Sequence, residues 1–363
     1  MSMVEWKKLE DCLDFEQPTP YLVKSTEYDD AYKTPVLTAG QSLLLGYTNE
    51  QDGIYRASKE NPCIIFDDFT TSFHWINFDF KVKSSAMKML RPKEGVNFRY
   101  VYYAMLGINF VPGGHQRHWI SKYSQFEIPL PSLSEQERIV GILDTFTSSI
   151  ENLKAQISLR RKQYEHYRDK LLDLEGKPGV EMKTLGKIGD VCMCKRIMKE
   201  QTSDNGEIPF FKIGTFGGQP DAFISRELYE EYKTKFSYPK KGEILISAAG
   251  TIGRSVIFDG EDAYFQDSNI VWIANNEKQV INRFLYYLYQ IAEWKTDGGT
   301  IKRLYNYNLK NTPIPLPSLE EQSRIVSILD EFEASIKNLE AQLEAREKQY
   351  EYYREKLLTF ERE

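Results

Sequence analysis

The sequence predicts an α+β protein in which two mixed α/β domains are separated by an antiparallel coiled coil of two long helices, with a pseudo-two-fold internal repeat. Three observations predict this fold class. A segment of 48 residues occurs twice without a gap, and the blocks that precede the two copies are similar in length but different in sequence. Both copies also carry the heptad pattern of a coiled coil. The predicted boundaries give a first domain, a first long helix, a linker, a second domain and a second long helix at residues 1–127, 128–175, 176–182, 183–313 and 314–363.

The repeat lies at an offset of 186 residues, where residues 128–175 align with residues 314–361. Identical residues occupy 32 of the 48 aligned positions, which excludes chance. Self-similarity of this kind indicates a duplicated structural unit. Two near-identical segments indicate equivalent partners, whereas the two dissimilar blocks indicate different ones.

Each copy is expected to form one long helix. It begins after Pro131 or Pro317, where Ser-x-x-Glu matches a capping box. Apolar residues then recur at spacings of three and four, which is typical of a coiled coil; an amphipathic helix on a globular core is the alternative. The residues expected in the coiled-coil or partner interface are Ile139, Leu143, Phe146, Ile150, Leu153, Ile325, Leu329, Phe332, Ile336 and Leu339. Arg160 and Arg346 interrupt this seam, and we expect their stems to pack and their charged heads to reach solvent, or else the two residues to fix the register.

The short linker between the first helix and the second block predicts the topology. An antiparallel helix pair with one block at each end is the most economical arrangement. At ~1.5 Å per residue, the segment from Ile139 to Leu174 would hold the two blocks roughly 50 Å apart.

Both blocks have mixed α/β patterns with many aromatic residues near turns. In the second block, a strand over residues 242–250 runs through Gly250-Thr-Ile-Gly-Arg254 into a strand over 255–258, which predicts a hairpin that presents an arginine. Residues 298–310 place a Lys-Arg pair beside tyrosines and asparagines, and residues 113–121 are a looser counterpart in the first block. Such side chains read base edges and bind phosphates, although similar clusters are common in solvated loops.

Composition excludes several classes of protein. The 363 residues, 42.4 kDa, are enough for two or three domains, and no apolar stretch predicts a membrane span or a secretory signal. Four cysteines without a disulfide pattern favour a reducing, cytoplasmic setting, and the His115–His118 pair is not expected to bind metal. The net charge is −6, but the last fifty residues hold seven basic and twelve acidic residues, so the acidity is concentrated there and does not exclude a nucleic-acid partner.

No catalytic motif is found in the sequence. An adenine methyltransferase would be expected to carry Asn/Asp-Pro-Pro-Tyr/Phe, and the nearest string, Asn61-Pro-Cys-Ile-Ile65, lacks the second proline and the aromatic residue. No phosphate-binding loop is present. Gly214-Thr-Phe-Gly-Gly218 is interpreted as a turn, and Asp67-Asp68 as a solvated turn.

The duplicated Ile-Pro-Leu-Pro-Ser-Leu-x-Glu-Gln-x-Arg-Ile-Val segment, the helix behind it and the Gly-Glu-Ile-Leu-Ile-Ser…Gly-Thr-Ile-Gly-Arg hairpin resemble the specificity subunit of type I restriction–modification systems. The resemblance covers the whole chain. It implies a non-catalytic subunit whose two target-recognition domains read the halves of a bipartite, asymmetric duplex DNA site with an unread spacer. It further implies two DNA adenine methyltransferase subunits and restriction motor-nuclease subunits as partners. S-adenosylmethionine, ATP and magnesium would be bound by those partners, and no cofactor by this chain.

The DNA contacts that follow from this resemblance lie in both blocks. In the second block they are Arg254, Thr251, Lys302, Arg303, Tyr305 and Asn306. The first block has no Gly-x-x-Gly-Arg hairpin, because residues 61–80 occupy the equivalent stretch. The contacts expected there are His74, Lys81, Gln116 and Arg117. Two other functions stay open: a coiled-coil protein-binding scaffold, and a recognition module of an orphan methylation or phage-defence system.

Overall fold

The structure is a computed structural model that describes residues 4–38, 40, 42–114, 116–298 and 302–361. The chain divides into two compact units. The first unit comprises Met1–Lys154 and Ala341–Glu363, and the second comprises Ala155–Glu340. Each unit therefore contains one sheet-rich domain and part of each long helix.

The domain of the first unit contains three sheets. Its elements are, in chain order, β1 (Glu5–Lys8), α1 (Leu9–Cys12), β2 (Leu13–Glu16), β3 (Thr34–Leu37), β4 (Leu44–Thr48), β5 (Cys63–Asp67), β6 (Phe73–Ile76), β7 (Lys81–Val82), β8 (Met87–Pro92), α2 (Phe98–Leu106) and β9 (Glu127–Leu130), followed by the long helix α3 (Leu133–Leu172). The sheet orders are β2-β8-β5-β6, β4-β3-β7 and the two-stranded ribbon β1-β9.

The domain of the second unit is built in the same way. Its elements are β10 (Glu181–Thr184), β11 (Val191–Cys192), β12 (Ile208–Phe211), β13 (Phe223–Ile224), α4 (Arg226–Lys235), β14 (Ile244–Ser247), β15 (Ser255–Ile257), β16 (Tyr264–Phe265), β17 (Ile270–Ile273), α5 (Asn282–Ile291), α6 (Asn306–Asn311) and β18 (Pro313–Leu316), followed by the long helix α7 (Leu319–Leu358). The sheet orders are β11-β17-β14-β15, β13-β12-β16 and β10-β18.

The two domains thus share the strand order of their sheets although their sequences differ, and the second adds the helix α4 between β13 and β14. The pairs β3–β7 and β12–β16 are parallel, and the hairpins β5–β6 and β14–β15 are antiparallel and lie at the same sheet edge. The first block does contain the counterpart of the Gly-x-x-Gly-Arg hairpin. The two hairpins differ at the tip: residues 68–72 connect β5 and β6, whereas residues 248–254, with the glycines and the arginine, connect β14 and β15.

The four-stranded sheet of each unit is buried on both faces. Ile64 and Phe66 of β5 pack towards α2 and the start of α3, whereas Cys63 and Ile65 face a second core. In β14 the same alternation divides its residues between two cores. Because side chains of a strand alternate between faces, near-continuous apolar strands are the pattern that two-sided burial requires.

Each long helix begins with half of the predicted capping box. The hydroxyl oxygens of Ser132 and Ser318 accept the backbone N–H groups of Glu135 and Glu321 at 3.4 and 3.2 Å. The glutamates do not complete the box. Their carboxylates accept hydrogen bonds from the arginines three residues further along the helix.

Within each unit the two long helices run antiparallel. In the first unit the ring of Phe146 stacks on Tyr353 at 5.3 Å, and Lys154 pairs with Glu347 at 2.9 Å. In the second unit the rings of Tyr167 and Phe332 stack at 5.4 Å, and Arg161 pairs with Glu340 at 2.5 Å. Residue numbers rise along one helix as they fall along the other, as predicted.

The predicted seam has two parts. Ile139, Leu143, Ile325 and Leu329 are fully buried in the domain cores, so the first turns follow the alternative of a helix packed on a globular core. The later seam residues are buried or half-buried: Phe146, Ile150, Leu153, Phe332, Ile336 and Leu339.

The arginines that interrupt the seam are half-buried, and their guanidinium groups lie over aromatic rings. The guanidinium carbons of Arg160 and Arg346 lie 5.7 and 5.6 Å from the ring centres of Phe332 and Phe146. Both contacts are of the cation–π type, and the two are equivalent at the repeat offset.

Over the described part of the chain, no helix is long and apolar enough to cross a membrane. The four cysteines are free. Among the described residues, no group of three or more His, Cys, Asp or Glu side chains is arranged to hold a metal ion. His115, one of the pair considered above, lies outside the described residues.

Candidate nucleic-acid interface

The tip of the β14–β15 hairpin requires its two glycines. Gly250 and Gly253 have φ angles of +63° and +84°, which residues other than glycine rarely adopt. A Cβ atom on Gly253 would also lie 2.3 Å from Nε1 of Trp294. The backbone oxygen of Ser247 accepts the N–H of Gly253, and the N–H of Ser247 donates to the backbone oxygen of Arg254, both at 2.9 Å. These two hydrogen bonds close the tip.

Arg254 is exposed, as predicted, and so is Thr251. The Nη1 group of Arg254 donates a hydrogen bond to the backbone oxygen of Phe216 at 2.9 Å. Phe216 lies in the glycine-rich 214–218 segment, which is a turn, as predicted. One donor of the guanidinium therefore holds this turn, and its remaining donors have no hydrogen-bond partner within the part of the chain that the structure describes.

A backbone junction joins the hairpin to the 302–305 loop. Ala248, just after β14, donates its N–H to the backbone oxygen of Asn269 at 2.7 Å, and its own oxygen accepts the N–H of Leu304 at 2.9 Å. The Nη2 group of Arg303 donates to the oxygen of Ser268 at 2.7 Å. The hairpin, the 268–269 turn and the 302–305 loop are thus held together.

The residues around this junction present polar and aromatic side chains. Lys302, Tyr305 and Asn306 are exposed, and Arg303 is half-buried. The ring of Tyr305 stacks on Tyr307 at 5.9 Å with an interplanar angle of 8°. Residues 299–301 of the predicted 298–310 stretch lie outside the described residues.

The first unit contains the same junction. Asp68, just after β5, donates its N–H to the oxygen of Ala86 at 2.9 Å and accepts the N–H of His118 at 2.8 Å. His118 therefore corresponds to Leu304, and the two lie at the repeat offset of 186. Gln116 and Arg117, both exposed, occupy the positions of Lys302 and Arg303.

Two residues predicted to contact DNA have structural roles in the first unit. Lys81 is 1% exposed and pairs with Glu50 at 3.1 Å while donating to the backbone oxygens of Asp52 and Gly53. A lysine with its ammonium group buried and satisfied cannot reach DNA, so this prediction is wrong. His74 is half-buried in β6, and its Nε2 donates to the oxygen of Gly40 at 3.0 Å.

The Asp67-Asp68 pair is only in part the predicted solvated turn. The Oδ1 of Asp67 accepts the N–H groups of Phe69 and Thr70 at 2.9 and 2.8 Å, as in an Asx turn. Asp68 is 2% exposed and forms an ion pair with Lys88. The prediction of a solvated turn is therefore wrong for Asp68.

Each domain is also fixed to a long helix by the same polar cluster, which we call the joint. In the first unit Nε of Arg99 and the hydroxyl of Tyr103 both donate to Oδ1 of Asp144, at 2.8 and 2.5 Å. Burial, and next the carboxylate of Asp144, raise the pKa of the Tyr103 phenol above its usual range, so the hydroxyl stays protonated as a donor.

The second joint repeats this geometry in a block of different sequence. Nε of Arg283 and the hydroxyl of Tyr287 donate to Oδ1 of Asp330 at 2.6 and 2.5 Å. Sequence analysis missed both joints. A motif shared by the two dissimilar blocks could have indicated the joints: Arg-x-x-Tyr-Tyr occurs once in each block, with its arginine at residue 99 or 283.

These features define a class of protein: a modular recognition protein in which one domain frame, used twice, presents two different polar loops and docks on two copies of one helix. The model of the type I restriction–modification DNA specificity domain matches residues 1–160 and again 178–346. The chain belongs to this family, and with its two domains it is a type I specificity subunit. Such subunits are the non-catalytic components of their systems and work in complex with other subunits and DNA.

Relatives agree with this membership over the full length. A type I restriction enzyme specificity subunit of Haemophilus influenzae is 44% identical over 99% of this chain and 96% of its own. The EcoR124I/EcoR124II specificity subunit of Escherichia coli is 38% identical over 98% and 94%. The crystal structure of an S subunit from M. genitalium shares the fold, with a TM-score of 0.66 and 17% identity over 100% of this chain and 98% of that one.

Proposed function

We propose that this chain reads a bipartite, asymmetric site in duplex DNA, one half with each domain, and so directs adenine methylation and restriction by partner subunits. The duplicated junction carries the proposal. One backbone frame displays Gln116 and Arg117 in the first unit and Lys302 and Arg303 in the second. Arginine and lysine prefer guanine and phosphate, whereas glutamine prefers adenine, so different side chains on one frame suit different half-sites.

The proposed partners are two DNA adenine methyltransferase subunits and restriction motor-nuclease subunits. Support for two copies of one partner comes from the long helices, which are identical at 32 of 48 aligned positions and so offer the same surface twice. S-adenosylmethionine, ATP and magnesium belong to those partners in this proposal. A cytoplasmic location, where chromosomal and invading DNA are both reached, is part of it.

The test is to express the chain with a type I methyltransferase subunit and to map methylated adenines across the genome. We expect a single bipartite motif that disappears when this chain is omitted, and no methylation by the chain alone. Binding of the complex to duplex DNA should weaken linearly in a plot of log affinity against log salt, as phosphate contacts require. A complex that assembles but shows no specific DNA binding would indicate a protein-binding scaffold instead.

A further inference from the structure

Asp68 and Lys88 form a buried ion pair in the first unit that the proposed DNA contacts do not include. Oδ2 of Asp68 lies 3.2 Å from Nζ of Lys88, and the side chains are 2% and 1% exposed. Nζ also donates to Oε1 of Gln17 at 3.1 Å. Apolar residues of similar volume are often as stabilising as a buried ion pair or more so, so stability alone does not explain this one.

The second unit shows the same position without an ion pair. Lys88 lies opposite Phe66 in the sheet, and Val271 lies opposite Ile246 at the equivalent place. The junction aligns Asp68 with Ala248. Ala248 and Val271 are each 1% exposed, so this fold accommodates two apolar residues here.

The pair has a second contact that an apolar residue cannot make. Oδ1 of Asp68 accepts the backbone N–H of Trp119 at 2.7 Å. The backbone oxygen of the same Asp68 accepts the N–H of the preceding residue, His118. The second unit holds its loop differently, through the bond from Arg303 to Ser268. Among the described residues, the guanidinium of Arg117 makes no equivalent bond.

Resting on the function proposed above, we propose that Asp68 is a positioning residue for recognition of the first half-site. Its carboxylate, oriented by Lys88, holds the N–H of Trp119 and thereby keeps Gln116 and Arg117 at the hairpin tip. The two oxygens of the carboxylate have separate roles. Oδ2 forms the ion pair with Lys88, and Oδ1 accepts the hydrogen bond from the loop.

Two double variants separate these roles. Asp68→Asn with Lys88→Met removes the ion pair but keeps a side-chain oxygen for Trp119, whereas Asp68→Ala with Lys88→Val copies the second unit and removes that acceptor. Methylation rates of each complex would be measured on the parental duplex and on duplexes with single base substitutions in either half-site. We expect the first variant to keep discrimination in the first half-site and the second to lose about tenfold of it, a typical share of one base contact. Amide hydrogen exchange over residues 118–123 should accelerate in the alanine–valine variant only.

Each arm has a control. Discrimination in the second half-site should be unchanged in every variant. Glu50→Gln with Lys81→Met removes an ion pair between a half-buried glutamate and a buried lysine of the same domain, and should leave first-half discrimination intact. Equal discrimination in the two Asp68 double variants would overturn the proposal, and so would failure of the alanine–valine variant to fold, since the pair would then be a requirement of the fold. If the parental complex itself shows no sequence-specific methylation, the proposed function fails instead.

Discussion

Arginine occupies the same position in both loops but differs in its contacts. Arg303 donates to the oxygen of Ser268 at 2.7 Å. The exposed guanidinium of Arg117 has no side-chain partner among the described residues, and neither does the ammonium group of Lys302. Lys302 and Arg117 are therefore the cations most available to DNA in the two loops.

Lys302→Ala is expected to weaken binding to all duplexes alike if this lysine contacts a phosphate. Its loss should lower the slope of log affinity against log salt by about one.

Arg117→Ala should instead relax discrimination in the first half-site by ~1–3 kcal/mol, the range of a base-reading arginine. Lys348→Ala, which removes an exposed lysine paired with Glu344 on α7, is the matched control. Unchanged affinity and specificity in a folded Lys302→Ala, Arg117→Ala protein would contradict these roles.

At the scale of elements, the joints explain how unlike domains dock on like helices. Asp144 and Asp330 belong to the repeated helices, while their arginine and tyrosine partners belong to the dissimilar blocks. A block can therefore vary in sequence and still dock, provided that it keeps an arginine and a tyrosine four residues apart on its helix.

Asp330→Ala should loosen α5 from α7 in the second unit. The Nε group of Arg283 and the hydroxyl of Tyr287 would lose their acceptor, whereas Nη2 of Arg283 would keep its bond to Glu333 at 2.5 Å. Hydrogen bonds to charged groups contribute ~1.5–3 kcal/mol. Because the carboxylate is 44% exposed, we discount this to about 1–2 kcal/mol of the free energy of unfolding. Hydrogen exchange over residues 282–291 measures the effect, and Asp144→Ala should act on residues 98–106 instead.

Glu321→Gln, which breaks an exposed ion pair on the same helix, is the control and should have at most a small effect. Equal effects of Asp330→Ala and Glu321→Gln would contradict the role of the joint.

At the scale of the whole molecule, each domain is closed by a ribbon of its first and last strands. Glu181–Thr184 pairs with Pro313–Leu316 in the second unit, as Glu5–Lys8 pairs with Glu127–Leu130 in the first. The ribbon brings both ends of the domain together at the start of a long helix. We therefore expect that such a domain can be exchanged without disturbing the rest of the chain.

Exchange of residues 185–312 for the matching block of a relative should change one half of the methylated motif and leave the other half unchanged. Both ribbon strands and Asp330 are retained, so the donor block must supply the arginine and tyrosine of the joint. Genome-wide mapping of methylated adenines reads the outcome. A motif that changes in both halves, or in neither, would contradict recognition by separate domains.

Insertion of one heptad into each long helix should lengthen the unread spacer. Because Lys154 faces Glu347, insertions after Leu153 and after Glu347 lie at the same level of the helix pair and keep its seam in phase. Seven residues add roughly 10 Å, and B-DNA rises ~3.4 Å per base pair, so the spacer should grow by at most about three base pairs. A four-residue insertion in one helix should abolish activity, and an active heptad variant with the parental spacer would show that the helices do not set it.

The sequence by itself determined the duplication, the two long helices and the polar loops at residues 116–117 and 302–303. These features depend on periodicity, capping and turn residues, which act between neighbours in the chain. Only the tertiary structure decided that Lys81 is buried, that β5 and β6 within residues 61–80 pair as a hairpin, and that Asp68 contacts both Lys88 and Trp119. Those contacts join residues far apart in sequence, and a charged residue gives the same local signal whether it faces solvent or a buried partner.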